Sequence, residues 1–329
     1  MRPFAYARAT DVTSAVAAGR DVDARFLAGG TNLLDLMKTG VERPAQLIDI
    51  TRLPLAAIEE RPAGLRIGAL ARNTDVANHP LVRTRYPVLS QALVAGASQQ
   101  LRNMATVGGN LMQRTRCPYF YEPSFVECNK RAPGSGCAAR LGHHRMHAIV
   151  GHSELCIATY PGDMAVALLA LDAIVQVAGP DGDRAIPIGE LHRLPGDTPH
   201  LDTNLRRGEL ITAVDLPLPA APRSFYLKVR DRTSYAFALV SVAAVLEQDT
   251  QGVIRRARLA LGGVAHKPWR VPEAEARLFG RPAGDEAWRA AAEVALPEAR
   301  PMRDNAFKVE LARRSIVRAL AATAVLAGA

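Results

Sequence analysis

Short stretches in which hydrophobic positions dominate or alternate with polar ones recur along the first two thirds of the chain. Residues 46–50, 65–70 and 173–177 are rich in Ile, Leu and Val, which is typical of β-strands. Between the second and third stretch, residues 87–100 have the pattern of a helix. This part of the chain is therefore predicted to alternate short strands with helices.

The pattern changes near residue 220. Residues 187–205 are polar and rich in Pro and Gly, a strand pattern resumes at 209–214, and the Pro-rich stretch 217–222 predicts a domain boundary. Three further strand patterns follow, at residues 225–230, 238–247 and 254–262.

From about residue 272 to the end, the chain has Ala-, Glu- and Arg-rich helical segments. Four large apolar residues recur there at helical spacing: Phe307, Leu311, Ile316 and Leu320. The prediction is an α+β fold with one domain over residues 1–220 and a second, a small sheet followed by helices, over residues 221–329.

The composition is that of a folded chain, and it limits the classes of partner that the chain could bind. With 48% hydrophobic and 22% charged residues, the 329 residues can bury a sizeable core, and this length favours about two domains. The excess of 41 Lys and Arg over 32 Asp and Glu gives a net charge of +9, which suits an acidic partner, a phosphorylated ligand or nucleic acid. Basic residues are not interleaved with aromatic ones on a repeated platform, so we expect no nucleic-acid partner. No Ser/His/Asp or Cys/His constellation supports hydrolase chemistry.

Targeting signals are also not predicted. Residues 1–8 have neither the apolar core nor the cleavage site of an export signal. Uncharged apolar stretches such as residues 319–329 fall short of the ~20 residues that span a bilayer, so we expect no membrane insertion.

Two Gly-Gly loops are candidates for holding an anionic ligand. The first is Leu27-Ala28-Gly29-Gly30-Thr31-Asn32-Leu33-Leu34, and the second is Thr106-Val107-Gly108-Gly109-Asn110. Glycines let backbone N–H groups approach a phosphate closely, and two such loops in one domain suit the two ends of a dinucleotide. Neither loop is a Walker or Rossmann motif, and each alone is equally consistent with a tight turn before a helix.

A third motif, Pro161-Gly162-Asp163, is a turn that leads into an apolar helix. Asp163 is well placed to cap that helix. Alternatively, its carboxylate accepts hydrogen bonds from ligand hydroxyls.

All four cysteines, Cys117, Cys128, Cys137 and Cys156, fall within one 40-residue window rich in Pro and Gly. Four thiolates can bind one [4Fe–4S] cluster or one tetrahedral zinc ion, or form two disulfides. The spacing alone does not choose among a cluster, zinc, and disulfides or free thiols. His143, His144 and His147 lie in the same window, and we interpret them as solvated or hydrogen-bonded neighbours of the cysteines.

Two further motifs follow in the chain, Ala236–Ala243 and Gly262-Gly263-Val264-Ala265. Together, all these motifs occur in the order found in the FAD-binding medium subunits of the xanthine dehydrogenase and aldehyde oxidoreductase family. The whole chain resembles these subunits. Details such as Cys128-Asn129-Lys130-Arg131 and residues 263–270 look most like the flavin subunits of bacterial periplasmic aldehyde oxidoreductases. The resemblance implies a two-part FAD-binding domain of the vanillyl-alcohol-oxidase type, followed by a C-terminal domain like that of the CO dehydrogenase flavoprotein.

The resemblance also implies cofactors and their residues. FAD would have its pyrophosphate on residues 27–34, with Gly108, Gly109 and Asn110 closing over the other side. Thr106 and Asp163 would lie near the ribityl chain, and Lys228 near the pyrimidine edge of the isoalloxazine. An insertion at about residues 112–156 would hold an extra [4Fe–4S] cluster through its four cysteines.

The partners implied are a small subunit with two [2Fe–2S] centres and a large subunit with a molybdenum cofactor that oxidises an aldehyde to a carboxylic acid. This chain would pass the electrons to an external acceptor. The alternatives are the flavin subunit of an aromatic acyl-coenzyme A reductase, and a structural zinc-binding module. We expect a periplasmic location through co-export with a signal-bearing partner; the alternative is the cytoplasm.

Overall fold

The computed structural model describes residues 1–219 and 223–325. The predicted boundary at residues 220 and 221 lies outside the described residues, as do the last four positions. The described strands are β1 (Ala5–Arg8), β2 (Ala24–Leu27), β3 (Gln46–Asp49), β4 (Ile58–Arg61), β5 (Gly64–Gly68), β6 (Ile174–Ala178), β7 (Arg184–Pro187), β8 (Leu210–Pro217), β9 (Ser224–Val229), β10 (Val240–Gln248), β11 (Ile254–Gly262) and β12 (Trp269–Arg270).

The helices are mostly short. They are α1 (Val12–Ala18), α2 (Leu33–Thr39), α3 (Asn73–Asn78), α4 (Pro80–Arg85), α5 (Pro87–Ala95), α6 (Gln99–Arg102), α7 (Val107–Leu111), α8 (Pro118–Tyr121), α9 (Asp163–Ala170), α10 (Ile188–Leu191), α11 (Pro272–Leu278), α12 (Asp285–Glu293) and α13 (Phe307–Val325), with 3₁₀ turns at Ala138–Arg140 and Arg303–Asn305. No helix in the described ranges is long and apolar enough to cross a bilayer.

The strands form three sheets. The first is a parallel sheet in the order β1-β3-β2, the second has five antiparallel strands in the order β4-β5-β8-β6-β7, and the third is antiparallel in the order β12-β11-β10-β9. The first two sheets make a two-part unit, and the third carries α11–α13. This arrangement confirms the predicted α+β fold class.

Helix α9 joins the second and third sheets. Every residue from Asp163 to Ala170 is buried, because the helix packs against α5 on one side and against β10 and β11 on the other. A helix that is apolar all round belongs in a core. Its first residue, Asp163, is thereby held between the two parts of the fold.

In the last helix, three of the four predicted apolar residues, Leu311, Ile316 and Leu320, pack against the core of the third sheet. Ile316 and Leu320 are fully buried against the third sheet together with Ala312 and Ala319. Phe307 instead lies at the helix start, 38% exposed, beneath the guanidinium of Arg145. A single periodic pattern does not show where along a long helix the packing begins.

The insertion, residues 112–156, has little regular structure, as its Pro and Gly content predicts. Its only regular elements are α8 and one 3₁₀ turn. It is held by buried apolar side chains, among them Phe120, Ile149 and Val150, and by polar contacts. The Asn129 side chain donates to the carbonyl of Leu155 and accepts from the N–H of Gly136.

Candidate functional site

The two Gly-Gly loops line one cavity of about 390 Å³, here called the larger cavity. The predicted residues on its wall are Ala28, Gly29, Gly30, Thr31, Asn32, Leu33, Thr106, Gly108 and Gly109. Leu27, Leu34 and Asn110 flank these positions without lining the cavity. The structure therefore brings together loops that are more than 70 residues apart in the chain.

The first loop presents unused donors to the larger cavity. In the described part of the chain, the backbone N–H groups of Gly29, Gly30, Thr31 and Asn32 donate to no protein acceptor. A run of free N–H groups around a concave surface is an anion-binding arrangement. Because α2 has only seven residues, these local donors matter more than its helix dipole.

Two glycines of this loop are required by geometry. A Cβ on Gly29 would lie 2.0 Å from the carbonyl oxygen of Met104, so the loop can approach residues 104–105 only as glycine. Gly30 has φ +71°, in the left-handed region, and its Cβ would lie 2.8 Å from Leu34 Cδ1. The loop is thus a close-packed cradle rather than a surface turn.

The second loop contributes a wall more than a set of donors. Thr106 caps α7 by accepting from the N–H of Gly109 at 3.2 Å, and the N–H of Gly108 donates to the carbonyl of Ala69. Short, side-chain-free backbone then faces the cavity at Gly108 and Gly109.

Polar residues that the sequence did not indicate complete the larger cavity. The strap, residues 193–205, belongs to the polar Pro- and Gly-rich stretch, and its His200, Asp202 and Thr203 line the cavity. Arg114 of the insertion accompanies them, and its guanidinium donates to Asp202 at 2.7 Å and to Glu42. The strap thus covers the cavity and is attached to the insertion.

Asp202 is the centre of this network. Its other oxygen accepts from the fully buried Nζ of Lys130 at 2.5 Å. Burial alone would raise the pKa of Asp202, but Arg114 and Lys130 hold it well below its usual range. The pKa of His266, 4.0 Å from the carboxylate, is lowered to about 4 by burial and by Lys130. At neutral pH the Asp202 carboxylate is therefore charged, and the positive charges of Arg114 and Lys130 compensate it.

Asp202→Asn is expected to lower the free energy of unfolding at pH 7 by about 2–3 kcal/mol, because Lys130 would be left buried without a carboxylate. The depressed carboxyl pKa stabilises the wild type above about pH 4, and this stabilisation is lost as the pH falls towards the folded-state value. Denaturant unfolding at pH 7 and at pH 3 measures both effects. Asp197→Asn, an exposed change in the same strap, is the control and should leave both values unchanged.

A second cavity, of about 210 Å³ and here called the smaller cavity, lies close to the first. Arg114 lines the larger cavity and Arg116 the smaller one, and two steps of chain put their Cα atoms at most about 7 Å apart. Between the cavities lies α7, whose Asn110 carbonyl accepts from the Tyr160 hydroxyl. The two cavities are thus lined by neighbouring segments of the chain.

Asp163 lines the smaller cavity, whereas Thr106 lines the larger one. Asp163 is not the cap of its helix, since Gly162 occupies that position. Its carboxylate accepts from Lys228 Nζ at 2.7 Å and from the Tyr226 hydroxyl at 2.7 Å. Lys228 lines neither cavity and stands behind Asp163, also donating to the carbonyl of Ala95 at 3.1 Å.

This buried ion pair joins the two parts of the fold. Lys228 comes from β9 of the third sheet, and Asp163 from α9, which lies between α5 and that sheet. With side chains 4% and 8% exposed, the two charges compensate each other away from water. Lys228 thus holds Asp163, a residue of the wall of the smaller cavity, and the pair adds no net charge there.

The four cysteines form no disulfide with one another and are gathered in one region of the insertion. Cys128 and Cys156 are buried, and Cys117 and Cys137 are half-buried. Burial, with a smaller contribution from the neighbouring thiols, raises the pKa of Cys117 to about 12 and that of Cys156 to about 11. At neutral pH these thiols are therefore protonated, and binding of a metal would release protons.

Of the four, Cys117 lines the smaller cavity. Its Sγ lies 3.1 Å from Nε2 of His147, whose pKa is lowered to about 4 by burial, so the imidazole is neutral. Within residues 1–219 and 223–325, no group of three or more His, Cys, Asp or Glu is arranged to hold a single metal ion. Four thiols are the kind of ligand that a thiolate-bound metal needs, but in this structure the sulfur atoms do not form a coordination sphere.

The fold and site define a class of protein. A family model described as the FAD binding domain in molybdopterin dehydrogenase matches residues 2–219, and one described as the CO dehydrogenase flavoprotein C-terminal domain matches residues 225–323. The chain belongs to the family of FAD-binding medium subunits of molybdenum hydroxylases, which are subunits of oxidoreductases. The predicted family and enzyme class are thereby confirmed.

Individual relatives make the likeness more specific. The chain is 53% identical over 324 residues to the aldehyde oxidoreductase FAD-binding subunit PaoB of Escherichia coli, covering 98% of each chain. It is 29% identical to the glyceraldehyde dehydrogenase medium chain of Sulfolobus acidocaldarius, covering 86% of this chain and 83% of the relative.

Among solved structures, the chain is similar to one in carbon monoxide dehydrogenase from Hydrogenophaga pseudoflava. The match has a TM-score of 0.76 at 27% identity and covers 98% of this chain and 97% of the other. The three-sheet arrangement is therefore that of a known flavoprotein fold.

Proposed function

We propose that this chain is the FAD- and [4Fe–4S]-containing electron-transfer subunit of a three-subunit molybdenum aldehyde oxidoreductase. The observation that carries the proposal is the pair of adjacent cavities. Four free backbone donors of a Gly-Gly loop line one of them, and Asp163 and a thiol of the cysteine-bearing insertion line the other. The likeness to an aldehyde oxidoreductase subunit directs the choice of substrate class.

The residues of both cavities fit FAD. Gly29, Gly30, Thr31 and Asn32 would hold the pyrophosphate through their N–H groups, with Gly108 and Gly109 as the opposite wall. The smaller cavity, with its apolar Phe237 and Met146, suits a flat aromatic ring. Lys228 acts there through Asp163, whose carboxylate it holds in place. When bound, FAD supplies the step between one-electron and two-electron transfer.

The four thiols of the insertion would hold the [4Fe–4S] cluster. They are the complete cysteine complement of the chain, they form no disulfide, and they share one region. The alternative of a structural zinc ion uses the same ligands and is separated from the cluster by colour and metal content.

In this proposal a large partner subunit oxidises the aldehyde at its molybdenum cofactor, and a small partner subunit relays electrons through two [2Fe–2S] centres. This chain then delivers them to an external acceptor. The proposal includes two domains, residues 1–220 and 221–329, and export to the periplasm together with a signal-bearing partner. Expressed without its partners, the chain is expected to be poorly soluble.

The experiment is to purify the chain with a tag from its source cells, identify the co-purified subunits, and mix the preparation anaerobically with an aromatic aldehyde. Two partner subunits and bleaching of the flavin absorbance are expected. Bleaching only by a strong reductant, followed by reduction of an aromatic acyl-coenzyme A, would favour the acyl-coenzyme A reductase. A colourless preparation that contains zinc would refute both redox functions.

A further inference from the structure

We propose that Cys128 and Cys137 form a disulfide when the insertion holds no metal, which makes this pair a site of reversible oxidation by small-molecule disulfides. The proposal does not depend on which metal the insertion binds.

The backbone places these two cysteines directly opposite each other. They form an isolated antiparallel β-bridge, flanked by Asn129 N–H to Gly136 carbonyl at 2.7 Å and by Ala138 N–H to Glu127 carbonyl at 2.9 Å. Hydrogen bonds on the flanking residues make Cys128 and Cys137 a non-hydrogen-bonded pair, for which the Cα atoms are typically about 4.5 Å apart. Disulfides span Cα separations of about 4.4–6.8 Å, a range that includes the typical spacing of such a pair.

The hairpin between them is held by contacts that need no metal. The Asn129 side chain accepts from the N–H of Gly136 at 3.0 Å, and the N–H of Cys128 donates to Ser135 Oγ at 3.0 Å. Gly134 and Gly136 have φ of +87° and +99°, which allows the tight return of the chain. The two thiols are therefore kept opposite each other in the metal-free chain.

The other two cysteines have different neighbours. Cys156 is bridged to Ser153, and the thiol of Cys117 lies against His147. The thiols of Cys128 and Cys137 lie close enough to contribute to the raised pKa values of Cys117 and Cys156. However, the backbone places neither Cys117 nor Cys156 opposite another cysteine. Pairing is thus expected to be selective.

The chemistry is thiol–disulfide exchange with a disulfide such as oxidised glutathione as the oxidant. The half-buried Cys137 attacks as thiolate, a protein–glutathione disulfide forms, and one glutathione thiolate leaves. Cys128 then loses its proton and displaces the second glutathione, so two protein thiols are oxidised while one disulfide is reduced to two thiols.

The test uses the full chain within its purified complex, freed of metal by a chelator under reducing conditions. It is then treated anaerobically with oxidised glutathione, alkylated, digested with trypsin and analysed by tandem mass spectrometry. Trypsin cuts after Lys130 and Arg131, so this disulfide joins two separate peptides. A Cys128–Cys137 bond about tenfold more abundant than any other pairing is expected, in line with the effective concentration of opposed thiols. Equal amounts of several pairings, or stable glutathione adducts on both cysteines, would overturn the proposal.

Metal uptake by the wild-type chain is a second measurement, and it requires no variant. The oxidised chain should fail to take up iron or zinc until dithiothreitol is added, and metal uptake by the oxidised chain would contradict the proposal. Cys117→Ser should still form the Cys128–Cys137 bond, whereas Cys128→Ser should leave a persistent adduct on Cys137.

Discussion

Gly30→Val is expected to lower the FAD content of the purified enzyme at least tenfold, to about the level of contamination. Gly30 has φ +71°, where a β-branched side chain is strained by roughly 1–2 kcal/mol or more, and the new Cβ would also press on Leu34. A change in the loop backbone would relieve this strain, and it would move the free N–H groups of the first Gly-Gly loop away from the positions that bind the pyrophosphate. The measurement is FAD released per chain, determined by absorbance after denaturation.

The control for this variant is Gly280→Val. Gly280 has almost the same backbone conformation, φ +74°, lies in the third-sheet region, and has open space around its Cβ position. It therefore carries the backbone cost without touching either cavity, and its FAD content should stay at the wild-type level. Equal FAD content in both variants would show that the loop is only a turn.

Changing any one of Cys117, Cys128, Cys137 or Cys156 to Ser is expected to reduce the iron content to little above that of the partners' two [2Fe–2S] centres. A hydroxyl is a poor ligand for iron, and three thiolates leave one corner of the cluster without its protein ligand. The paramagnetic signal of this cluster after reduction should vanish, and residues 112–156 should become more sensitive to proteolysis. Metal analysis, electron paramagnetic resonance and limited proteolysis give three separate readouts.

Ser124→Ala, an exposed change in the same insertion, should leave iron and protease resistance unchanged. FAD should be reduced less than iron in the cysteine variants, because the first Gly-Gly loop lies outside the insertion. Full iron in all four variants, or stoichiometric zinc without extra iron, would rule out the cluster.

Local sequence was enough to predict the elements that depend on neighbours in the chain. The strand at residues 254–262 is present, the helix predicted over 87–100 is present as Pro87–Ala95, and both Gly-Gly loops border one cavity. Each of these depends on residue preferences within a few positions. For that reason, their positions are readable without any knowledge of the tertiary fold.

The Asp202 network could not be predicted in the same way. It joins Glu42, Arg114, Lys130 and Asp202 from three separate parts of the chain, and no spacing rule connects them. The polar strap has the composition of an ordinary loop, and only its position over the larger cavity gives it a role. The ion pair of Asp163 with Lys228 is hidden for the same reason, since it forms only when the third sheet packs against α9.

Native mass spectrometry of the purified enzyme, with this chain released from its partners under mild conditions, tests FAD binding most directly. The expected result is a 35.3 kDa chain that carries one FAD. A chain that is released without flavin, from an enzyme that still transfers electrons from aldehyde to acceptor, would contradict the assignment of FAD to these two cavities.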